Sequence, residues 1–102
     1  MKVAITSVGN TVDSSVDSRF GRCSFFALYD TESGNVEFVE NNEKNAIEGA
    51  GPAAAQFVAS FGVQKVISGE FGQKVKAIFD QLKIQLIVIQ DEKTVADIIK
   101  ML

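Results

Sequence analysis

The sequence predicts an α/β fold of three layers, with helices on both faces of a mixed five-stranded sheet. Two patterns carry this expectation. In the C-terminal half, three segments with helical apolar spacing alternate with two short β-branched runs, as in parallel strands joined by right-handed crossovers. In the N-terminal half, two strand-like runs are separated only by Thr31-Glu32-Ser33-Gly34, the mark of a hairpin.

The elements follow in chain order. Residues 2–8, KVAITSV, are short and mostly apolar, suited to a strand covered on both faces. Residues 9–22, GNTVDSSVDSRFGR, are polar and turn-rich and form a long loop. CSFFALYD (23–30) and NVEFVEN (35–41) are the hairpin strands, with Gly34 free to take positive φ between them. The polar crossing NNEKNAIEGAG (41–51) leads to a helix that presents Ala54, Phe57, Val58 and Phe61 on one face. Pro52 can open this helix and Gly62 close it. A second helix places Val75, Ile78, Phe79 and Leu82 at the same spacing. A third repeats it with Val95, Ile98, Ile99 and Leu102, behind a Thr94/Asp97 capping box. QKVISG (64–69) and KIQLIVIQ (83–90) are the strands between these helices.

The expected strand order is 3-2-1-4-5, with strand 2 antiparallel. Strands 1 and 4 are then central neighbours from which the chain leaves in opposite directions. Ligands of open α/β sheets favour the crevice at the carboxyl ends of such strands. Two segments should border it: the loop that starts at Ser7-Val8-Gly9-Asn10, and SGEFGQK (68–74).

Composition narrows the function. The 102 residues are 46% hydrophobic and 23% charged, in the range of one ordinary globular domain, and the net charge of −3 offers no field for nucleic acid or an anionic membrane. No apolar run approaches the ~20 residues of a membrane span, and MKVAITSVGN lacks a signal-peptide core. A single cysteine cannot form an internal disulfide, so a reducing cytoplasm is the expected compartment. The chain has no histidine, which removes the commonest metal ligand and the usual general base. GEFGQKV fails the Walker A spacing, and there is no G-x-G-x-x-G and no C-x-x-C.

The stretch FGRCSFF (20–26), the acidic hairpin and VISGEFGQKVKAIFD (66–80) resemble the dinitrogenase iron–molybdenum cofactor-binding family, orange-protein-like members included. The resemblance spans nearly the whole chain. It implies a ribonuclease H-like α/β/α fold, and non-catalytic binding or delivery of an anionic metal–sulfur cluster, either iron–molybdenum or molybdenum–copper sulfide. It also implies an alternative: a metal-free regulatory or interaction module acting with a Mrp/MinD-type ATPase or a cofactor-acceptor protein. The fold does not imply nuclease chemistry, since KVAITS carries no acid to hold a metal pair. Many relatives have histidine immediately before F-G-R, and Arg19 replaces it here. The change weakens direct coordination as a binding mode relative to an electrostatic cradle.

Such a cluster is bulky, negative and rich in sulfide acceptors, so it calls for cations and N–H donors. Arg19 and Arg22 carry permanent charge and planar donors. Gly69 and Gly72 flank the start of the second helix, where free amides and the dipole favour an anion. Ser7 and Gly9 open the first loop, Phe20 anchors it, and Gly21 serves its turn. Glu70 is expected to point outward. Cys23 has two readings, a thiolate ligand activated by the arginines or a small buried hydrophobe that begins strand 2. The arginines also have an ordinary reading, as surface partners of Asp13 or Asp17.

Overall fold

The computed structural model describes residues 1–102. Five strands, β1 (Lys2–Ser7), β2 (Phe25–Asp30), β3 (Val36–Glu40), β4 (Lys65–Ser68) and β5 (Gln85–Val88), alternate with α1 (Ala50–Ala59), α2 (Gln73–Gln81) and α3 (Val95–Lys100). They form one sheet in the order β3-β2-β1-β4-β5. β2 runs antiparallel to both its neighbours, whereas β1, β4 and β5 are parallel. The expected topology is the observed one.

Strand alternation assigns the layers. Ala4, Phe26, Leu28 and Val66 face α1 and α2, where Ala54, Val58, Val75 and Phe79 complete the larger core. Val3, Ile5, Ala27 and Ile67 face the other way and pack on Val95 and Ile98 of α3. β1 is buried along five of its six residues because both layers cover it. Four phenylalanines, Phe20, Phe26, Phe71 and Phe79, form a knot under the carboxyl end of the sheet. Phe20 lies 5.4–5.6 Å from the other three ring centroids. At Thr94 the capping box closes as its spacing predicts: the hydroxyl accepts from the Asp97 N–H, and the Asp97 carboxylate accepts from the Thr94 N–H.

Element ends differ from expectation for local reasons. α1 begins at Ala50, ahead of Pro52, because Gly49 at φ 71° turns the chain into it; the proline then sits inside the first turn, where its missing N–H costs nothing. β2 begins at Phe25 and not at Cys23. The Asn41 carboxamide donates to the Gly21 and Cys23 carbonyls, at 3.1 and 2.9 Å, and so takes the place of a strand ladder there. β5 is shorter than the run 83–90, since Lys83 adopts φ 59° after α2 and the Ile84 N–H still bonds the Phe79 carbonyl. No helix is long and apolar enough to cross a membrane.

Candidate functional site

The long loop leaves β1 at Ser7 and is stitched back along the sheet. The Ser7 hydroxyl, fully buried, donates to the Gly9 carbonyl at 2.6 Å and accepts the Gly9 N–H at 3.3 Å. Gly9 lies against Ser14, and Ser7 bridges to Val16. These bonds fold the first half of the loop onto itself.

Asp17 is the pivot. Its N–H bonds the Thr6 carbonyl, and its own carbonyl accepts from the Thr6 hydroxyl at 2.7 Å, the Ser68 hydroxyl at 3.4 Å and the Gly69 N–H at 3.3 Å. The loop is thereby tied across the carboxyl ends of β1 and β4, where the chain direction reverses. The buried carboxylate of Asp17 accepts the Arg19 backbone N–H at 2.9 Å and the guanidinium Nε at 3.5 Å. The Arg19 side chain remains 59% exposed.

Next the chain dips and turns. Phe20 inserts into the aromatic knot, and Gly21 passes directly over the first turn of α1. A Cβ on Gly21 would lie 2.8 Å from the backbone N and Cα of Gly51, so only glycine fits this approach. Arg22 emerges on the far side and donates from one terminal nitrogen to the Lys44 and Ala46 carbonyls, at 2.9 and 2.5 Å. Those contacts hold the 41–49 strap beside the helix start.

Cys23 lies beneath this corner, fully buried, with its thiol donating to the Phe20 carbonyl at 3.2 Å. Burial, then the Asp17 carboxylate, push the thiol up from its ordinary 9.0 to about 12. The arginines therefore do not activate it. The Arg19 charge faces the Asp17 carboxylate and solvent, the Arg22 charge faces backbone carbonyls, and the sulfur is inside. Cys23 behaves as a small core residue placed just before β2, and no thiolate is offered at neutral pH.

The second segment arrives from β4. Gly69 is buried against Ser18, where a Cβ would come within 2.5 Å of the Ser18 Cα. Phe71 enters the aromatic knot, and Gly72, extended and open to space, precedes the first turn of α2. Neither α1 nor α2 has a side-chain cap at its N-terminus. Their first amides are left for solvent or a ligand.

A cleft of about 520 Å³ results, walled by Arg19–Arg22, by Gly49–Pro52 at the start of α1, and by Glu70 and Gly72–Val75 at the start of α2. Arg19, Arg22 and Lys74 are its cations and Glu70 its single carboxylate. A second hollow of about 710 Å³ opens on the other side of Arg19 and Glu70, at the ends of β4 and β5. Asp17, Asp91 and Glu92 join Glu70 there, opposed by Arg19 and Lys93.

The structure thus brings Arg19, Phe20, Gly21, Arg22 and Gly72 to one cleft. Ser7, Gly9 and Cys23 line neither hollow, and Gly69 borders the acidic one. Glu70 is exposed and lines both. Sequence reasoning missed the α1 start and the buried Asn41 that braces the corner from below, and it held Lys74 only as the end of a bordering segment, without a role for its charge. The run GAGP before the first helix was the available signal, because two glycines there permit a close backbone approach.

Known proteins share this architecture. The apo form of the orange protein from Desulfovibrio gigas superposes with a TM-score of 0.92 at 29% identity, over 97% of this chain and 83% of that one. A putative NifB protein from Thermotoga superposes with a TM-score of 0.84 at 37% identity, over 97% and 84% respectively. An uncharacterised protein of Methanocaldococcus jannaschii is 31% identical over 90 residues, 84% of this chain and 76% of that protein. The family model for dinitrogenase iron–molybdenum cofactor matches residues 1–102. The chain belongs to the dinitrogenase iron–molybdenum cofactor family.

Proposed function

We propose that the protein is a non-enzymatic carrier that binds an anionic metal–sulfur cluster, of the iron–molybdenum or molybdenum–copper sulfide kind, in the cleft between the Phe20–Arg22 corner and the starts of α1 and α2. The observation that carries this reading is the convergence of three cations and two uncapped helix N-termini on one hollow of a chain whose net charge is −3. The lining supplies donors: guanidinium, ammonium and backbone N–H. A sulfide-rich anion matches such a surface by charge and hydrogen bonding, without a protein thiolate. Arg19 is held in place by Asp17, so part of its ordering cost is already met in the free protein.

The test is reconstitution. Apo-protein incubated with tetrathiomolybdate and copper, or with a preformed iron–sulfur cluster, should keep visible charge-transfer absorption through gel filtration. The double variant Arg19→Ala, Arg22→Ala should lose it, while Cys23→Ser should keep it. Full retention by the double arginine variant would remove the cradle.

One feature supports a second role for the same rim. Ile47, on the strap held by Arg22, is 96% exposed. It offers an apolar contact to a protein partner, which by family resemblance is a Mrp/MinD-type ATPase or a cofactor acceptor. Co-purification lost on Ile47→Asp, with cluster uptake intact, is the expected result.

A further inference from the structure

We propose that β5 is an interaction edge, at which two copies of this chain pair antiparallel and continue the sheet across a two-fold axis. The outer strands of the sheet are β3 and β5, and they are guarded differently. β3, VEFVE, carries Glu37 and Glu40, with Glu32 and Glu43 nearby in the chain and no cation between them, so a second such strand is repelled. The segment containing β5, QLIVIQ (85–90), has no charge, proline or glycine. An unguarded edge of this kind is a template for strand addition. Val88 on this strand is 49% exposed. Beside it, Ile84 and Leu86 border a hollow of about 690 Å³ against Ala77 of α2.

The ladder determines the register. The Gln85 and Ile89 N–H groups donate to the Gln64 and Ser68 carbonyls, at 3.0 and 2.9 Å, so the odd-numbered residues of β5 face β4. Alternation turns the N–H and C=O of Leu86 and Val88 to the open side. An antiparallel partner satisfies both residues when Leu86 faces Val88 of the second copy and Ile87 faces its equivalent on the axis. The half-exposed Val88 side chain is then covered by Leu86 of the second copy, on the α2 side of the sheet.

The same register brings together the chain ends that flank the strand, so that Lys83, in the turn before β5, lies near Asp91, in the loop after β5 of the second copy, once at each end. The neighbouring registers lack this match. A slide one way brings Val88 to Ile84, whose N–H is already held by Phe79. A slide the other way moves Lys83 away from Asp91 and toward Lys93 of the second copy. Isologous pairing of this kind is closed, so it yields a dimer and not a fibre.

The experiment uses the 102-residue apo-chain, so it is independent of cluster binding. Sedimentation should show a monomer–dimer equilibrium, and the Leu86 and Val88 amides should gain exchange protection as protein concentration rises. Val88→Lys should raise the dissociation constant at least roughly tenfold with an unchanged circular dichroism spectrum. Lys83→Glu should weaken the dimer, and adding Asp91→Lys should restore it. A chain that stays monomeric to about 1 mM overturns the proposal. A dimer indifferent to Val88→Lys overturns the edge, and failure of the charge swap to rescue overturns the register.

Discussion

The two hollows at the carboxyl ends of the strands share Arg19 and Glu70 yet differ in sign. On one side three cations meet a single carboxylate, and on the other four carboxylates meet two cations. The cationic cleft is bordered by two helix starts, whose dipoles add to its field. The acidic hollow is bordered by the loop after β5 and by the stitched first loop, and no residue of a helix lines it. Net charge therefore says little about what such a protein attracts. A chain that is acidic overall can still present a local hollow of positive field, provided backbone amides and a few cations are gathered there.

That contrast can be broken most forcefully at the arginines. Arg19→Ala with Arg22→Ala should weaken cluster retention by roughly 100-fold or more, if each charged hydrogen bond is worth about 1.5 kcal/mol or above. Retention measured against salt should also flatten in the variant, because exposed cations act through a screened field.

Next in size is Gly21→Ala. Its Cβ would sit 2.8 Å from the Gly51 backbone, so the α1 start must move. A cost of about 1–3 kcal/mol in denaturant unfolding is expected, together with a widened cleft and weaker retention. An unchanged midpoint would mean that the corner and helix do not depend on this contact.

Smaller effects sharpen the difference in sign. Glu70→Gln removes the carboxylate facing the cleft and should tighten retention by about 2- to 5-fold, in line with an exposed charge pair. Asp91→Asn with Glu92→Gln, confined to the acidic hollow, should change it by less than about 2-fold. Equal effects from the two substitutions would erase the distinction between the hollows.

The smallest expected effect concerns the thiol beneath the cleft. Its folded pKa, about 12, lies above the ordinary 9.0. Between those values the unfolded chain releases the proton while the folded chain keeps it, so stability should decline as pH rises through that window. Cys23→Ser should flatten this alkaline decline in pH-dependent unfolding. Thiol-reactive probes at neutral pH should label the native protein far more slowly than the unfolded one.

The fold was legible because its signals are local and agree with one another. Helical spacing around Val75 and Val95, the Gly34 hairpin and the Thr94 cap all specify the same topology. Half of the cleft was legible for the same reason, since Arg19 to Arg22 and Gly72 announce their turns through neighbouring residues. The other half depends on contacts between segments 18 to 30 residues apart. That Gly21 would cross Gly51, or that Asn41 would hold the Gly21 and Cys23 carbonyls, follows only from how α1 packs on the sheet. Cys23 beside two arginines looks reactive in one dimension. In three, its neighbours are Phe20, Asn41 and Asp17, and the arginine charges face away.

The most direct measurement is a backbone amide map of the apo-protein titrated with a thiomolybdate–copper cluster, read by nuclear magnetic resonance. Saturable shifts should concentrate at Gly21, Arg22, Ala50, Gly51, Gln73 and Lys74, with Asp91 and Glu92 unmoved. Shifts centred on the acidic hollow, or a cluster that leaves the α1 and α2 starts undisturbed, would contradict the cationic cleft as the binding site.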